Sequence, residues 1–144
     1  MNSNQLQHQV LYMRRSLFDQ GYLDSEQLIQ LEDLQDDANP NFVEEVVSLF
    51  YSDSARLIQN IEQTLSNRPV DFSRLDDILH QFKGSCSSIG AKKVKDACSQ
   101  FREYCNAGNA EGCSSSFQLI KQEYETLRRR LESYFQMVKQ AKAA

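Results

Sequence analysis

The sequence is poor in residues that break helices and has no long hydrophobic run. Its 144 residues include only two prolines and five glycines, and tryptophan is absent. This composition, with 40% hydrophobic residues, favours helices over a turn-rich β protein. No window approaches the roughly 18 consecutive apolar residues that a transmembrane helix requires. We therefore expect an all-α protein that does not insert into a membrane.

The sequence also lacks a basic charge balance and a metal-binding cysteine pattern. Its formal net charge is −4, which argues against a nucleic-acid partner because neutralising phosphates requires a basic surface. The four cysteines form no Cys-x-x-Cys motif, so neither a zinc site nor a disulfide framework is indicated. Cys113 falls at an expected loop, where it could be oxidised if it were accessible.

The N-terminal segment reads MNSNQLQHQV and is polar where the apolar part of a signal peptide would lie. A reducing compartment is therefore expected. We expect the protein in the cytoplasm and the nucleus, although no sequence pattern specifies nuclear entry.

Apolar residues recur at intervals of three and four, the spacing of helices that bury one face. The pattern predicts two short N-terminal helices within about residues 5–37 and four long helices within about residues 41–139. The breaks between helices fall at turn-forming residues: Gly21, Pro40, Asn67-Arg68-Pro69, Gly90 and the segment 107–112. Some of this last segment could instead form the first turn of the final helix, whose apolar pattern begins at about Cys113. Short breaks favour an antiparallel four-helix bundle with the N-terminal pair packed on one end or side. We expect residues 1–144 to form a single domain.

The helix expected at about residues 70–89 carries the residues of greatest chemical interest. At about 100° per residue, its apolar residues fall on one stripe: Leu75, Ile78, Phe82, Cys86 and Ile89. His80 lies nearly opposite the centre of that stripe and therefore faces solvent or a partner. At helical-neighbour spacings it shares this face with other polar or small residues: Asp76, Lys83, Gly84 and Ser87.

Lys83 and Gly84, one turn after His80, favour covalent chemistry on the imidazole with a large partner. Lys83 provides a mobile cation with three donors, which suits phosphoryl oxygens. A glycine inside a helix costs about 1 kcal/mol relative to alanine, so Gly84 suggests that another surface approaches the backbone closely. An exposed imidazole has an ordinary pKa of about 6.5 and is mostly neutral, hence nucleophilic, near pH 7.

The stretch HQFKGSCSSIGA, residues 80–91, resembles the motif of the plant histidine-containing phosphotransfer proteins. That motif is a histidine, two residues, Lys-Gly, a serine-rich run and Ile-Gly-Ala. The resemblance covers roughly residues 22–138, and the one departure within the motif is Cys86, where the family usually has serine. Further matching segments are Leu34-Gln35-Asp36, Pro40-Asn41-Phe42-Val43, Val46-Val47-Ser48-Leu49-Phe50, Val70-Asp71-Phe72, Glu111-Gly112-Cys113 and Lys121-Gln122-Glu123-Tyr124.

This resemblance implies a phosphorelay intermediate of the cytokinin type with a helical-bundle fold. His80 would accept a phosphoryl group from the aspartate of a sensor-kinase receiver domain and pass it to the aspartate of a response regulator. Mg²⁺ would belong to the receiver domain, so the chain would need no cofactor and would have no kinase activity of its own. The expected partners are the receiver domains of hybrid sensor histidine kinases and of response regulators, and we expect a monomer.

Other residues near the motif have candidate roles. Lys83 would stabilise the charge of the phosphorylated state, Gln81 would hydrogen-bond phosphoryl oxygens or the receiver, and Gly84 would permit its close approach. The candidate receiver-docking residues are Ser87, Leu79, Lys92, Lys93 and Lys95, of which Leu79 lies at the border of the buried stripe.

Several of these residues also have ordinary structural interpretations. The three lysines of the docking set could form a solvated face, and the Ser87 hydroxyl could bond a backbone carbonyl. Asp76 could orient the imidazole or simply lie on a polar helix face. The sequence leaves these alternatives open.

Two other function classes are considered. A pure interaction module would bind receivers without carrying phosphate, and it would be favoured if the position of His80 held a residue unable to form a phosphoramidate. The dimerisation helices of a sensor kinase would need an ATP-binding domain, for which we expect no room in 144 residues. The relay interpretation is favoured over both.

Overall fold

The computed structural model describes residues 2–144, which form six α-helices. They are α1 (Ser3–Asp19), α2 (Ser25–Leu34), α3 (Phe42–Ser66), α4 (Phe72–Ile89), α5 (Lys92–Asn106) and α6 (Ala110–Ala143). Within these residues there is no β-strand beyond two isolated bridges, and none of the helices is both long and apolar enough to cross a membrane. The prediction of an all-α fold is confirmed.

Helices α3 to α6 form the bundle. Each packs against its neighbour in the chain, and α3 also contacts α6, which closes the ring. The centre is filled by large side chains from each helix, including Phe50 of α3, Phe82 of α4, Phe101 of α5 and Ile120 of α6, each at most 1% exposed. Burial of this apolar surface, worth about 25 cal/mol per Å², drives the helices together. The predicted four-helix bundle is confirmed.

Both ends of α4 are defined by local chemistry. Asp71 caps the first turn, where its side chain accepts a hydrogen bond from the Arg74 backbone N–H at 3.0 Å. Gly90 ends the helix in the left-handed conformation with φ 75°. A Cβ at Gly90 would lie 3.0 Å from the Gln27 Cβ and 3.1 Å from the Asp24 carbonyl oxygen. Only glycine suits this position.

The two N-terminal helices pack on the outside of the bundle. α1 contacts α6, whereas α2 contacts α3 and α4. The Asp24 backbone N–H donates to the Gly90 carbonyl at 2.8 Å, and the Gln27 side chain donates to the Ser88 carbonyl at 3.0 Å. These bonds tie the start of α2 to the C-terminal end of α4, so α2 helps to hold the helix that carries His80.

The final helix begins earlier than its apolar pattern indicated. α6 starts at Ala110 because Asn109 caps it, with the Asn109 side chain accepting a hydrogen bond from the Gly112 N–H at 2.9 Å. The expected position of Cys113 at a loop is therefore wrong. Cys113 lies in the first turn of α6 and is 0% exposed, so the access that its oxidation would require is absent.

Candidate functional site

The two faces of α4 are arranged as the sequence predicted. The five residues of the apolar stripe are each at most 2% exposed and lie in the core. His80 is exposed on the opposite face. In the part of the chain that the structure describes, no hydrogen bond or ion pair joins its imidazole to another side chain. The ring nitrogens of His80 are therefore accessible to a visiting protein.

Lys83 and Gln81 accompany the imidazole on this surface. Lys83 is half-buried, and within residues 2–144 its ammonium forms no ion pair. Gln81 is exposed next to the histidine. A free cation one turn from His80 can contact an anionic group attached to the ring.

Gly84 leaves an open patch of helix backbone beside His80. An added Cβ at Gly84 would meet no atom within 4 Å. Gly112, the other glycine inside a helix, differs because a Cβ there would overlap the ring of Tyr104. No contact within the described residues therefore requires glycine at position 84, and the helix backbone there is open to the outside.

Asp76, four residues before His80, is held by Arg102 of α5. The Arg102 Nε donates to Asp76 Oδ1 at 2.9 Å, and Nη2 donates to Oδ2 at 3.3 Å. Hydrogen bonds from Arg102, with smaller contributions from its charge and from a protonated His80, hold the pKa of Asp76 below its ordinary value despite partial desolvation. Asp76 is therefore an ionised, clamped carboxylate that forms no hydrogen bond to the imidazole.

Arg102 did not emerge from the sequence pattern. The sequence nevertheless contained the information needed to find the pair. Because α4 and α5 run antiparallel on either side of Gly90, residues at similar distances before and after Gly90, such as Asp76 and Arg102, lie side by side. A carboxylate one turn before an exposed histidine, opposite an arginine in that register, is the pattern that could have identified the pair.

The ion pair makes folding stability depend on pH. Because the folded-state pKa of Asp76 is lowered, its stabilisation is present above the ordinary aspartate pKa of about 3.9 and is lost as the pH falls through the lower folded-state value. We expect Asp76→Asn to lower the unfolding free energy by about 1 kcal/mol or less at neutral pH, since the pair is partly exposed. Urea unfolding of both proteins from neutral to strongly acidic pH measures this. A difference that stayed constant with pH would contradict the assignment.

The expected exposure of Leu79 is wrong. Leu79 is 0% exposed and belongs to the core. α4 packs against α3 on one side and α5 on the other, with α2 over its C-terminal end. The buried face is therefore wider than a stripe centred on Phe82, and Leu79 is removed from the docking candidates.

Ser87, Lys92 and Lys95 lie together beside the C-terminal end of α4. They line a depression of about 530 Å³ that also includes Asp24 and Asp96. The Ser87 hydroxyl donates a hydrogen bond to the Lys83 carbonyl at 3.0 Å. This is the bond to the helix backbone that was one of the two interpretations of this serine.

Lys93 is directed elsewhere. Its ammonium lies 4.1 Å from the centroid of the Tyr22 ring, a cation–π distance. Of the three lysines predicted together, the structure brings only Lys92 and Lys95 next to Ser87.

The cysteines lie in the core. All four are buried and unbridged, and Cys105 Sγ lies 3.8 Å from Cys113 Sγ. Desolvation, with the neighbouring thiol, raises the pKa of Cys105 to about 12. Among residues 2–144, no group of three histidine, cysteine or acidic side chains is close enough to hold a metal ion.

Fold and site together define a class of protein. An accessible imidazole in the middle of a bundle helix, with a free cation and bare backbone beside it, lies on an open surface rather than in a substrate pocket. This geometry suits a phosphotransfer module that exchanges a group with another protein.

Comparison with known proteins agrees with this class. Residues 45–130 match the family model described as Hpt domain. Histidine-containing phosphotransfer protein 4 of Arabidopsis thaliana is 65% identical over 117 residues, which cover 81% of this chain and 91% of that protein. Pseudo histidine-containing phosphotransfer protein 5 of Oryza sativa subsp. japonica is 55% identical over 141 residues, 98% of this chain and 92% of the relative.

A solved structure shows the same fold. The crystal structure of a histidine-containing phosphotransfer protein from Medicago truncatula superposes with a TM-score of 0.90 at 40% identity, covering 96% of this chain and 93% of the other.

The chain belongs to the histidine-containing phosphotransfer family. Proteins of this family are phosphocarriers in phosphorelays and interact with receiver domains of kinases and response regulators.

Proposed function

We propose that His80 accepts a phosphoryl group from the aspartyl phosphate of a hybrid-kinase receiver and passes it to the aspartate of a response regulator. The observation that carries this proposal is the exposed imidazole of His80, mounted opposite the core stripe of α4. A neutral ring nitrogen attacks phosphorus as the bond to the aspartate oxygen breaks, and the second transfer reverses this exchange on another aspartate. Mg²⁺ bound to the receiver would neutralise charge on the transferring group.

The side chains around His80 would make different contacts with the phosphoryl group and the receiver. Lys83 would contact the phosphoryl oxygens after transfer, and exposed Gln81 would donate a hydrogen bond to them or to the receiver. Gly84 would let the receiver approach the helix backbone. Ser87 would contact the edge of the receiver, and the exposed ammonium groups of Lys92 and Lys95 would attract acidic groups of the receiver, although Asp24 and Asp96 line the same depression.

Removing the Lys83 cation is expected to slow transfer more than it affects folding. Lys83→Ala loses a charge-assisted contact to the phosphoryl group, which corresponds to about a tenfold slower transfer or a shorter phosphohistidine lifetime. Rapid-quench transfer kinetics from a phosphorylated receiver and decay of the isolated phosphoprotein measure the two effects. Lys142→Ala, at the far end of α6, is the matched control. Unchanged kinetics and lifetime in Lys83→Ala would remove this residue from the mechanism.

A second function is supported by the relatives. Several are named pseudo histidine-containing phosphotransfer proteins, including one that is 60% identical over 121 residues. High identity therefore does not separate phosphate carriage from receiver binding alone. We favour carriage because this chain has histidine at position 80, within an intact His-x-x-Lys-Gly motif.

Incubation with a panel of phosphorylated receiver domains tests the proposal. We expect acid-labile, base-stable label on the protein, and peptide mapping should locate it at His80. Stable binding to receivers without any label would instead establish the interaction module.

The same proposal extends to the oligomeric state, the cofactor requirement and the location of the protein. We propose that the helices act as one domain and as a monomer, without a cofactor or kinase activity of their own, in a cytokinin-type relay. A carrier must reach both its sensor kinase and its response regulators, and we propose that it occupies the cytoplasm and the nucleus.

A further inference from the structure

A second surface site lies between α1 and α6. It is a depression of about 450 Å³, and all of its lining residues belong to these two helices. The half-buried Met13 and the exposed ring of Tyr12 supply apolar surface, whereas Leu17 is only 3% exposed. Tyr12, Ser16 and Thr126 contribute hydroxyl groups. A volume within the range of small-ligand pockets, with apolar surface and a few converging polar groups, is the general form of a ligand site.

The charge of this groove comes from Arg129 and Arg130. Both line it and are exposed, and its lining contains no acidic residue. Within the described residues neither arginine has a carboxylate within 4 Å, whereas the adjacent Glu132 is paired with Arg128 at 2.9 Å. Two uncompensated guanidinium groups in a protein of net charge −4 create a local attraction for an anion.

Arg130 is also held in place before any ligand binds. Its guanidinium carbon lies 4.7 Å from the centroid of the Tyr22 ring, and the Lys93 ammonium lies 4.1 Å from the same centroid. The aromatic contact restrains Arg130, which lowers the entropy lost on binding. Lys93 adds positive charge next to the groove.

We propose that the groove binds an organic phosphate monoester, with the phosphoryl group at Arg129 and Arg130 and a small apolar body against Met13 and the ring of Tyr12. Guanidinium groups match phosphate oxygens with paired N–H donors. The hydroxyls of Tyr12, Ser16 and Thr126 provide further donors for an anion that carries three terminal oxygens. This site is separate from the phosphotransfer surface, because none of its residues lies on α4.

Phenyl phosphate is the probe that tests the proposal. In amide and arginine Nε NMR titrations of the full chain, we expect saturable shifts at residues 12–17 and 126–133. Inorganic phosphate and phenol, each presenting half of the ligand, should bind about tenfold more weakly or less. Shifts confined to the surface around Lys83, or no saturable shift, would overturn the proposal.

Substitutions separate this site from general anion binding. Arg129→Gln with Arg130→Gln should weaken phenyl phosphate binding about tenfold or more, since each arginine contributes a charge-assisted contact. Arg129→Gln alone, which leaves the stack on Tyr22 in place, should weaken it by a smaller factor. Arg15→Gln, on α1 but outside the lining, should bind like the unchanged protein. Equal affinity of all four proteins would refute the site.

A vesicle experiment distinguishes the source of the phosphate. Flotation with phosphatidylcholine vesicles, with and without phosphatidic acid, is compared for the unchanged and doubly substituted proteins. Binding that requires both phosphatidic acid and the two arginines would assign a lipid headgroup. Phenyl phosphate binding without vesicle binding would assign a soluble monoester.

Discussion

Replacing His80 by glutamine is expected to reduce phosphate uptake from a phosphorylated receiver by several orders of magnitude while the fold is retained. Glutamine keeps a polar side chain of similar reach but has no nucleophilic ring nitrogen, so the phosphoramidate cannot form. His80 is exposed and without a side-chain partner in residues 2–144, so the unfolding free energy should change by about 0.5 kcal/mol or less. Radiolabelled uptake and urea unfolding measure the two quantities.

The chain contains its own control for this experiment. His8 is the only other histidine in the sequence and is exposed on α1. His8→Gln should leave uptake unchanged, so any difference between the two variants isolates position 80. Normal uptake by His80→Gln would reject the assigned nucleophile, whereas retained receiver binding by that variant would show that docking does not depend on the imidazole.

Replacing Gly84 by glutamine is expected to stabilise the protein and to disable transfer. A Cβ at this position meets no atom within 4 Å, and glutamine is a better helix former than glycine by about 0.5 kcal/mol. The longer side chain would occupy the space through which a receiver approaches, so transfer should fall about a hundredfold or more. Opposite changes in stability and activity are the signature of a residue selected for an external contact. Urea unfolding and rapid-quench transfer provide the measurements.

Two control variants make the Gly84 experiment specific. Ser115→Gln is exposed on α6, the helix across the bundle from α4, and should transfer normally. Gly112→Ala should destabilise the fold, because its Cβ would overlap the Tyr104 ring. If Gly84→Gln transferred at the normal rate, close approach at this position would be refuted even if the stability rose as expected.

The contrast between His80 and Leu79 shows how far helical periodicity reaches. The stripe of α4 was visible because apolar residues at three- and four-residue spacing must face the core, and His80 lies opposite them. Periodicity gives the direction of the core but not the width of the buried face. Leu79 lies at the border, and its burial was decided by helices that flank α4 on both sides.

Sequence patterns also did not reveal contacts between side chains that are far apart in the chain. Asp76 and Arg102 are 26 residues apart, and Tyr22 is far in sequence from both Lys93 and Arg130. An exposed lysine and a stacked lysine have the same sequence signature, so the three lysines after the motif appeared as one group. Only the packing of α5 against the N-terminal segment separated Lys93 from the other two.

By itself, the sequence determined the helical class, the boundaries of most helices and the outward direction of His80. These properties follow from local chemistry: apolar periodicity, capping residues such as Asp71, and a left-handed glycine at position 90. Tertiary structure alone decided the burial of Leu79, the clamp on Asp76 and the cationic groove between α1 and α6. Each of these depends on which side chains from distant segments meet, and that is set by helix packing rather than by any one helix's residues.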